Sequence, residues 1–154
     1  KGTKGKYQMV VAERGWKKLK ETLKEITKKV SPRSLAERIA QLKTVQRGWV
    51  NYFRMASMHG KLRDVDSWVR NRLRYCIWHD WKKPERKRKN LMRLGVDATH
   101  AYAFSRTRKG GWAIAQSPIL TTTITLKRLQ QRGYESLLDY YCKVSPQFSE
   151  PLYA

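Results

Sequence analysis

Gln46-Arg47-Gly48-Trp49-Val50-Asn51-Tyr52-Phe53-Arg54 decides how the rest of this chain is read. Three aromatics, two arginines, an asparagine and a glycine share nine residues. Arginine grips phosphates, asparagine bonds polar edges, and aromatic rings stack on bases. Nothing in the stretch looks like a nucleophile, a general base or a metal cage. The stretch sits in a helix predicted from Leu35 to about Ala56. Ser34-Leu35-Ala36-Glu37 opens it as a capping box, in which hydroxyl and carboxylate satisfy free first-turn amides. The seam of that helix is Leu35, Ile39, Leu42, Trp49, Phe53 and Ala56, with Gln46 in the missing position, where a polar residue can fix register. Gly48 costs a helix interior about 1 kcal/mol, so its presence predicts close approach of another backbone, protein or RNA. Arg47, Asn51 and Arg54 lie off the seam.

Working toward the N-terminus, Ala12 to Val30 reads as a helix. Trp16, Leu19, Leu23, Ile26 and Val30 form its apolar seam. Lys17, Lys20, Lys24 and Lys28 share a neighbouring flank, with Glu21 and Glu25 just beyond. That flank is either a solvated face with internal ion pairs or a partner surface. Ser31-Pro32-Arg33 breaks the helix. Tyr7 to Val11 is either a short strand or the end of one from a preceding domain.

Toward the C-terminus, Ser57-Met58-His59-Gly60 reads as a connector with Gly60 closing the helix before it. A third helix is predicted from about Lys61 to Trp81, with Leu62, Val65, Val69, Leu73 and Cys76 in its core arc. Arg70, Arg74, Trp78 and Trp81 lie roughly opposite. They form a stacking and phosphate surface, or else a second packing face for later helices. Arg72, near the apolar arc, is expected to reach a carboxylate or carbonyl. Lys82 to Lys89 is the densest basic run. Pro84 and the flanking Trp81, Leu91, Met92 and Leu94 make it an anchored basic helix, stopped by Gly95. Asp97 to Arg106 reads as a short helix. Arg106 to Trp112 is a basic glycine-containing loop whose amides suit a phosphate. Thr121 to Thr125 has strand propensity, or Thr125 caps a helix from Leu126 to Gln131. Gly133 ends that helix, and Ser136 to Lys143 forms the last.

The chain of 154 residues carries 34 Lys plus Arg against 12 acids, a formal charge of +22. Such an excess opposes compaction by self-repulsion and points to a polyanionic partner, nucleic acid before an anionic membrane surface. Hydrophobics at 40%, with six Trp, suffice for a core. The two cysteines, Cys76 and Cys142, form no disulfide framework and suggest a reducing compartment. The first residue is Lys, so the expectation is a piece of something longer. No apolar run is long enough to cross a membrane.

Catalytic groupings are missing. Asp64 and Asp66 diverge on one helix and suit a first turn, where they oppose the macrodipole, rather than a two-metal site. Cys76, His79, His100 and Cys142 could be drawn together by a zinc ion, but a buried cysteine is the commoner reading of Cys76. A small basic nuclease would need converging acids or histidines. A membrane-surface protein would show an amphipathic helix with large exposed apolars.

Arg47-Gly48-Trp49-Val50-Asn51-Tyr52-Phe53 resembles the maturase domain, also called domain X or thumb, of bacterial group II intron reverse transcriptase/maturases. The likeness continues at Ser34 to Glu37, Trp68 to Arg74, Trp78 to Pro84, Asn90 to Gly95, Thr107 to Trp112 and Leu137 to Tyr141, roughly residues 7 to 143. It implies a mainly α chain: a three-helix thumb-like bundle followed by a smaller, mostly helical basic region. Residues 1–11 would be the trailing edge of a missing palm, 12–83 the thumb, 84–143 the basic nucleic-acid-binding region and 144–154 a peripheral tail. The family's paired-aspartate polymerase motif and its HNH endonuclease signature have no counterpart here, so this chain is expected to be non-catalytic and without a cofactor of its own. Mg2+ would belong to the parent polymerase and the intron ribozyme. The implied partners are group II intron RNA, template–primer or target DNA, and the fingers and palm of the same polypeptide, in a bacterial cytoplasmic ribonucleoprotein. The expected contacts are Lys17, Lys20, Lys24 and Lys28, then Arg47, Asn51 and Arg54, then Arg70 and Arg74. Arg86, Lys87, Arg88 and Lys89, with Arg108 and Lys109, would meet RNA or target DNA. Trp49 and Phe53 are expected mainly in the core. A nonspecific basic module without maturase activity is the alternative.

Overall fold

Three long helices pack side by side and six shorter ones close over them, in a computed structural model that describes residues 9–145. They are α1 (Glu13–Ile26), α2 (Leu35–Phe53), α3 (His59–Asp80), α4 (Pro84–Arg93), α5 (Ala98–Ser105), α6 (Gly111–Ala115), α7 (Pro118–Thr123), α8 (Leu126–Gln131) and α9 (Leu137–Val144). No strand occurs among the described residues, so the mainly α class holds. Of the Tyr7 to Val11 stretch, Tyr7 and Gln8 lie outside those residues. Met9 to Val11 forms no strand, and the Met9 carbonyl accepts a hydrogen bond from the Ser57 amide at 2.7 Å.

α1 buries Trp16, Leu19, Leu23 and Ile26 as its spacing requires. It stops four residues before the expected end, leaving Val30 72% exposed. No glycine closes it. Its last carbonyls instead take side-chain donors from α2 and α3. Arg72 donates to the Lys24 and Thr27 carbonyls at 3.3 and 2.9 Å, and Arg38 to the Lys28 carbonyl at 2.9 Å. The Cys76 thiol donates to the Thr27 carbonyl at 3.1 Å. Two guanidinium groups thus sit at the negative end of the helix dipole, where cations are favoured. The carbonyl partner expected for Arg72 is observed.

α2 starts at the capping box. The Glu37 amide donates to the Ser34 hydroxyl, and the Ser34 amide to the Glu37 carboxylate, both at 3.2 Å. Gln46 is buried in the seam and donates to the Glu135 carbonyl at 2.9 Å. Arg38 and Val50 are also fully buried, which the seam did not include. The protein half of the Gly48 reading is overturned. The residue is exposed, and a Cβ there would meet nothing within 4 Å, so no backbone of the described residues approaches it.

α3 begins at His59, which places Gly60 in its first turn rather than at a helix end. The core arc of Leu62, Val65, Val69, Leu73 and Cys76 is buried as expected. The opposite side is a packing face. Trp78 and Trp81 are 4% and 8% exposed, covered by the later helices, so neither ring is open for stacking on a base.

The short helices follow local signals. Pro84 is at the first turn of α4. Gly95 and Gly133 stop α4 and α8 at φ values of 104° and 99°, which favour glycine. Thr125 caps α8 by accepting from the Arg128 amide, so Thr121 to Thr125 is no strand. α9 packs back onto α2 and α3. Asp66, placed in a first turn by its sequence context, is 2% exposed in α3 and receives the start of α9. Of the expected peripheral tail, Val144 ends α9 and Ser145 is buried, while 146–154 lie outside the described residues. One continuous apolar core links Trp16 and Leu23 of α1 with Leu42, Leu73, Leu120 and Leu137.

Candidate nucleic-acid interface

The exposed flank of α1 forms one wall of a groove whose other wall is α3. Lys17, Lys20, Lys24 and Lys61 line it around Trp16 and Trp68. The Lys20 ammonium lies 5.2 Å from the Trp68 ring centroid, and that of Lys61 lies 5.4 Å from the Trp16 centroid. A ring beneath an ammonium narrows its range while leaving its outer N–H groups open. Glu13, Glu21 and Asp64 also line the groove, so its charge is mixed. Lys28 stands apart. It follows the end of α1 and pairs with Glu25 at 2.8 Å, a contact that holds the Glu25 carboxyl below its ordinary value.

The Arg47 to Arg54 motif puts Trp49 and Phe53 against the core, as expected, and ties part of its polar face to α9. Arg47 grips Glu135 with two nitrogens at 2.7 and 3.0 Å, and its guanidinium lies 5.0 Å from the Tyr140 ring centroid. The hydrogen bond raises the Arg47 pKa and lowers that of Glu135. Asn51 accepts from the Tyr140 hydroxyl at 2.9 Å, and Arg54 donates to the Asn51 carbonyl at 3.2 Å. Trp49 lies 4.8 Å from Trp16 and 4.7 Å from Phe53, centroid to centroid, against the core. The motif therefore docks α9 onto α2. What it leaves outward is Tyr52, 82% exposed, with Asn51, Arg54 and part of Arg47. Neither Glu135 nor Tyr140 is legible from the motif, since they lie almost ninety positions away in sequence.

Arg70 is half-buried on α3. Arg74, expected on a phosphate surface, is 6% exposed and committed to protein. It donates to the Ile124 carbonyl and to Asn71 Oδ1, both at 2.8 Å, and burial lowers its pKa. Arg74→Ala is expected to lower the unfolding free energy by roughly 2–4 kcal/mol, because a buried carbonyl loses its donor and a cavity opens. RNA affinity of the remaining folded protein should keep its salt dependence. A shallower salt slope with unchanged melting would show that Arg74 reaches phosphate after all.

On α4, Arg86 and Lys89 are exposed and Arg88 pairs with Glu85 one turn earlier. Lys87 is half-buried, its ammonium 4.6 Å from the Trp78 centroid, and burial lowers its pKa. Arg108 and Lys109 are exposed ahead of α6. Gly111 has a packing role. A Cβ at this position would stand 2.9 Å from Tyr75 Cε1, so glycine is what lets α6 approach α3. The zinc reading finds no geometry: Cys76 is bonded to Thr27 and His100 to Asp97. No group of three His, Cys, Asp or Glu side chains able to hold a metal ion exists among the described residues. No helix among them is long and apolar enough to cross a membrane.

The fold and these surfaces define a mainly α, strongly basic domain with lysines and arginines presented on several faces. The family model described as "Group II intron, maturase-specific domain" matches residues 16–95, just over half of the chain. The chain belongs to that family, and its maturase domain ties it to group II intron splicing and to intron RNA. The match runs from α1 to the glycine that stops α4 and leaves α5 to α9 outside. Comparison with curated proteins gives no match.

Proposed function

We propose that this chain is the thumb and following basic region of a group II intron-encoded reverse transcriptase. In this reading it binds intron RNA directly and holds its active fold while the RNA performs the splicing chemistry. The same surfaces grip template–primer or target DNA during intron mobility. The chain supplies no catalytic group in this reading. Mg2+ serves the intron ribozyme and a palm domain elsewhere on the polypeptide, in a bacterial cytoplasmic ribonucleoprotein. The supporting observation is that Lys17, Lys20 and Lys24, within the matched segment, stand exposed on one flank of α1 and enter no ion pair among the described residues.

Three lysines that neutralise phosphates should release three counterions. Replacing all three by alanine should then make the log–log salt dependence of RNA binding shallower by about 2. Exposed lysines lie outside the core, so melting should barely move. The assay compares a group II intron RNA with a size-matched unrelated structured RNA across a salt series. A preference for the intron RNA that persists at high salt and weakens in the triple variant is expected. Equal binding to both RNAs, vanishing together with salt, would reduce the chain to a nonspecific polyanion clamp.

A further inference from the structure

A second cleft, away from the α1–α3 groove, has a different electrostatic character. It has a volume of about 520 Å³ and no acidic residue lines it. Lysines reach it from separate segments: Lys29 after α1, Lys82 in the turn after α3, Lys87 on α4 and Lys109 ahead of α6. Lys82 holds a φ of 55°, a left-handed backbone that a non-glycine residue adopts only where its surroundings require it. Two of the ammoniums are seated on rings in the cleft wall: Lys29 lies 5.7 Å from the Tyr75 centroid, and Lys87 rests over Trp78. Between them His79 also lines the cleft, its buried Nδ1 turned to the Asp80 carboxylate at 4.0 Å.

Four lysines with no carboxylate among the lining residues make the cleft a patch of uncompensated positive charge. Such an arrangement persists where a ligand supplies the opposite charge. Ammoniums are compact point charges that suit the spread negative charge of a phosphate. The volume exceeds what a lone phosphate fills. A convex duplex cannot sink into a cleft walled by several segments, whereas a sharply turned single strand can. The rings are already covered by cations and α6, so the cleft reads backbone rather than base.

We propose that this cleft seats the phosphodiester backbone of a turned, single-stranded RNA segment, clamped by Lys29, Lys82, Lys87 and Lys109. The identity of that RNA as intron RNA rests on the function proposed above; the phosphate chemistry of the cleft does not. The strand would bridge the family-matched segment, which contributes Lys29, Lys82 and Lys87, and the later loop that contributes Lys109.

The test uses the full chain, the double variant Lys29→Ala/Lys109→Ala and a charge-matched control, Lys43→Ala/Lys127→Ala, both exposed positions outside the cleft. Each protein is titrated with group II intron RNA and with a short uridine oligonucleotide, and melted at low salt. The cleft variant should lose about tenfold in affinity for both RNAs at moderate salt, and its salt slope should fall by about 1.5. It should melt no lower than the wild type, because removing unopposed charge relieves repulsion. Equal losses in the cleft and control variants would overturn the cleft, whatever the RNA preference shows. Loss of oligonucleotide binding confined to the cleft variant, without any preference for intron RNA, would keep the cleft and sink the maturase reading. Inorganic phosphate that displaces the oligonucleotide where chloride of equal ionic strength does not would mark an ion site and overturn strand binding.

Discussion

Asp66→Ala is expected to lower the unfolding free energy by about 3–5 kcal/mol, the range for stripping a buried charged group from its hydrogen-bond partners. The Asp66 carboxylate is buried in the middle of α3 and turned onto the start of α9. It accepts from the Leu137 amide at 2.7 Å, the Leu138 amide at 2.9 Å and the Ser136 hydroxyl at 2.6 Å, with the Tyr134 hydroxyl at 3.5 Å. The first amides of any helix lack partners within the helix, and here another helix supplies the acceptor. A carboxylate at the positive end of α9 also opposes its dipole. Burial pushes the Asp66 carboxyl pKa up, while the bonds from Ser136, Leu138 and Leu137 pull it down. Alanine leaves these donors facing an apolar gap, so no compensating partner exists. Denaturant unfolding followed by circular dichroism measures the loss. Hydrogen exchange should show the Leu137 and Leu138 amides losing protection first. A loss below about 1 kcal/mol would mean that solvent reaches the site and that the cap is dispensable.

The second large effect concerns Arg38, the largest of the fully buried side chains. Its guanidinium donates to the Lys28 carbonyl and lies 3.5 Å from the Asp80 carboxylate, tying the end of α1 to the end of α3. Arg38→Ala removes the donor, opens a cavity and leaves Asp80 half exposed without its partner, for an expected loss of about 2–4 kcal/mol. Arg38→Met refills much of the volume without the hydrogen bonds. It should recover part of the loss, since a packed apolar side chain often replaces a buried ionic group at small cost. Melting curves of the two variants separate cavity from hydrogen bond. Equal losses would show that the carbonyl contact, not the packing, carries the stability.

What the sequence made legible was local. The capping box at Ser34, the buried steps of α1 and the glycine stops at Gly95 and Gly133 are set by residues a few positions apart, where helix geometry is fixed. What it hid was pairing at a distance. Asp66 read as a first-turn acid and Arg38 drew no reading, and only the packing of α1, α3 and α9 around them turns each into a helix cap. The period of α3 correctly put Trp78 and Trp81 opposite the core arc. It could not choose between an open stacking surface and cover by later helices. Lys29 drew no reading and Lys82 only one as the start of a basic run; each sits in a connection, and only the fold brings them to one cleft. The motif around Arg47 was legible as a family signature, yet its arginine and asparagine hold α9 in place through Glu135 and Tyr140.

That docking has a consequence for how the polypeptide can be divided. The family match ends at residue 95, but α9 closes the faces of α2 and α3. A truncation at Gly95 would keep every matched residue. It would nevertheless strip Arg47 of Glu135, Asp66 of all its donors and Arg74 of the Ile124 carbonyl. The matched segment thus leaves several of its polar groups to be satisfied by the helices that follow it, which sit over it as a lid.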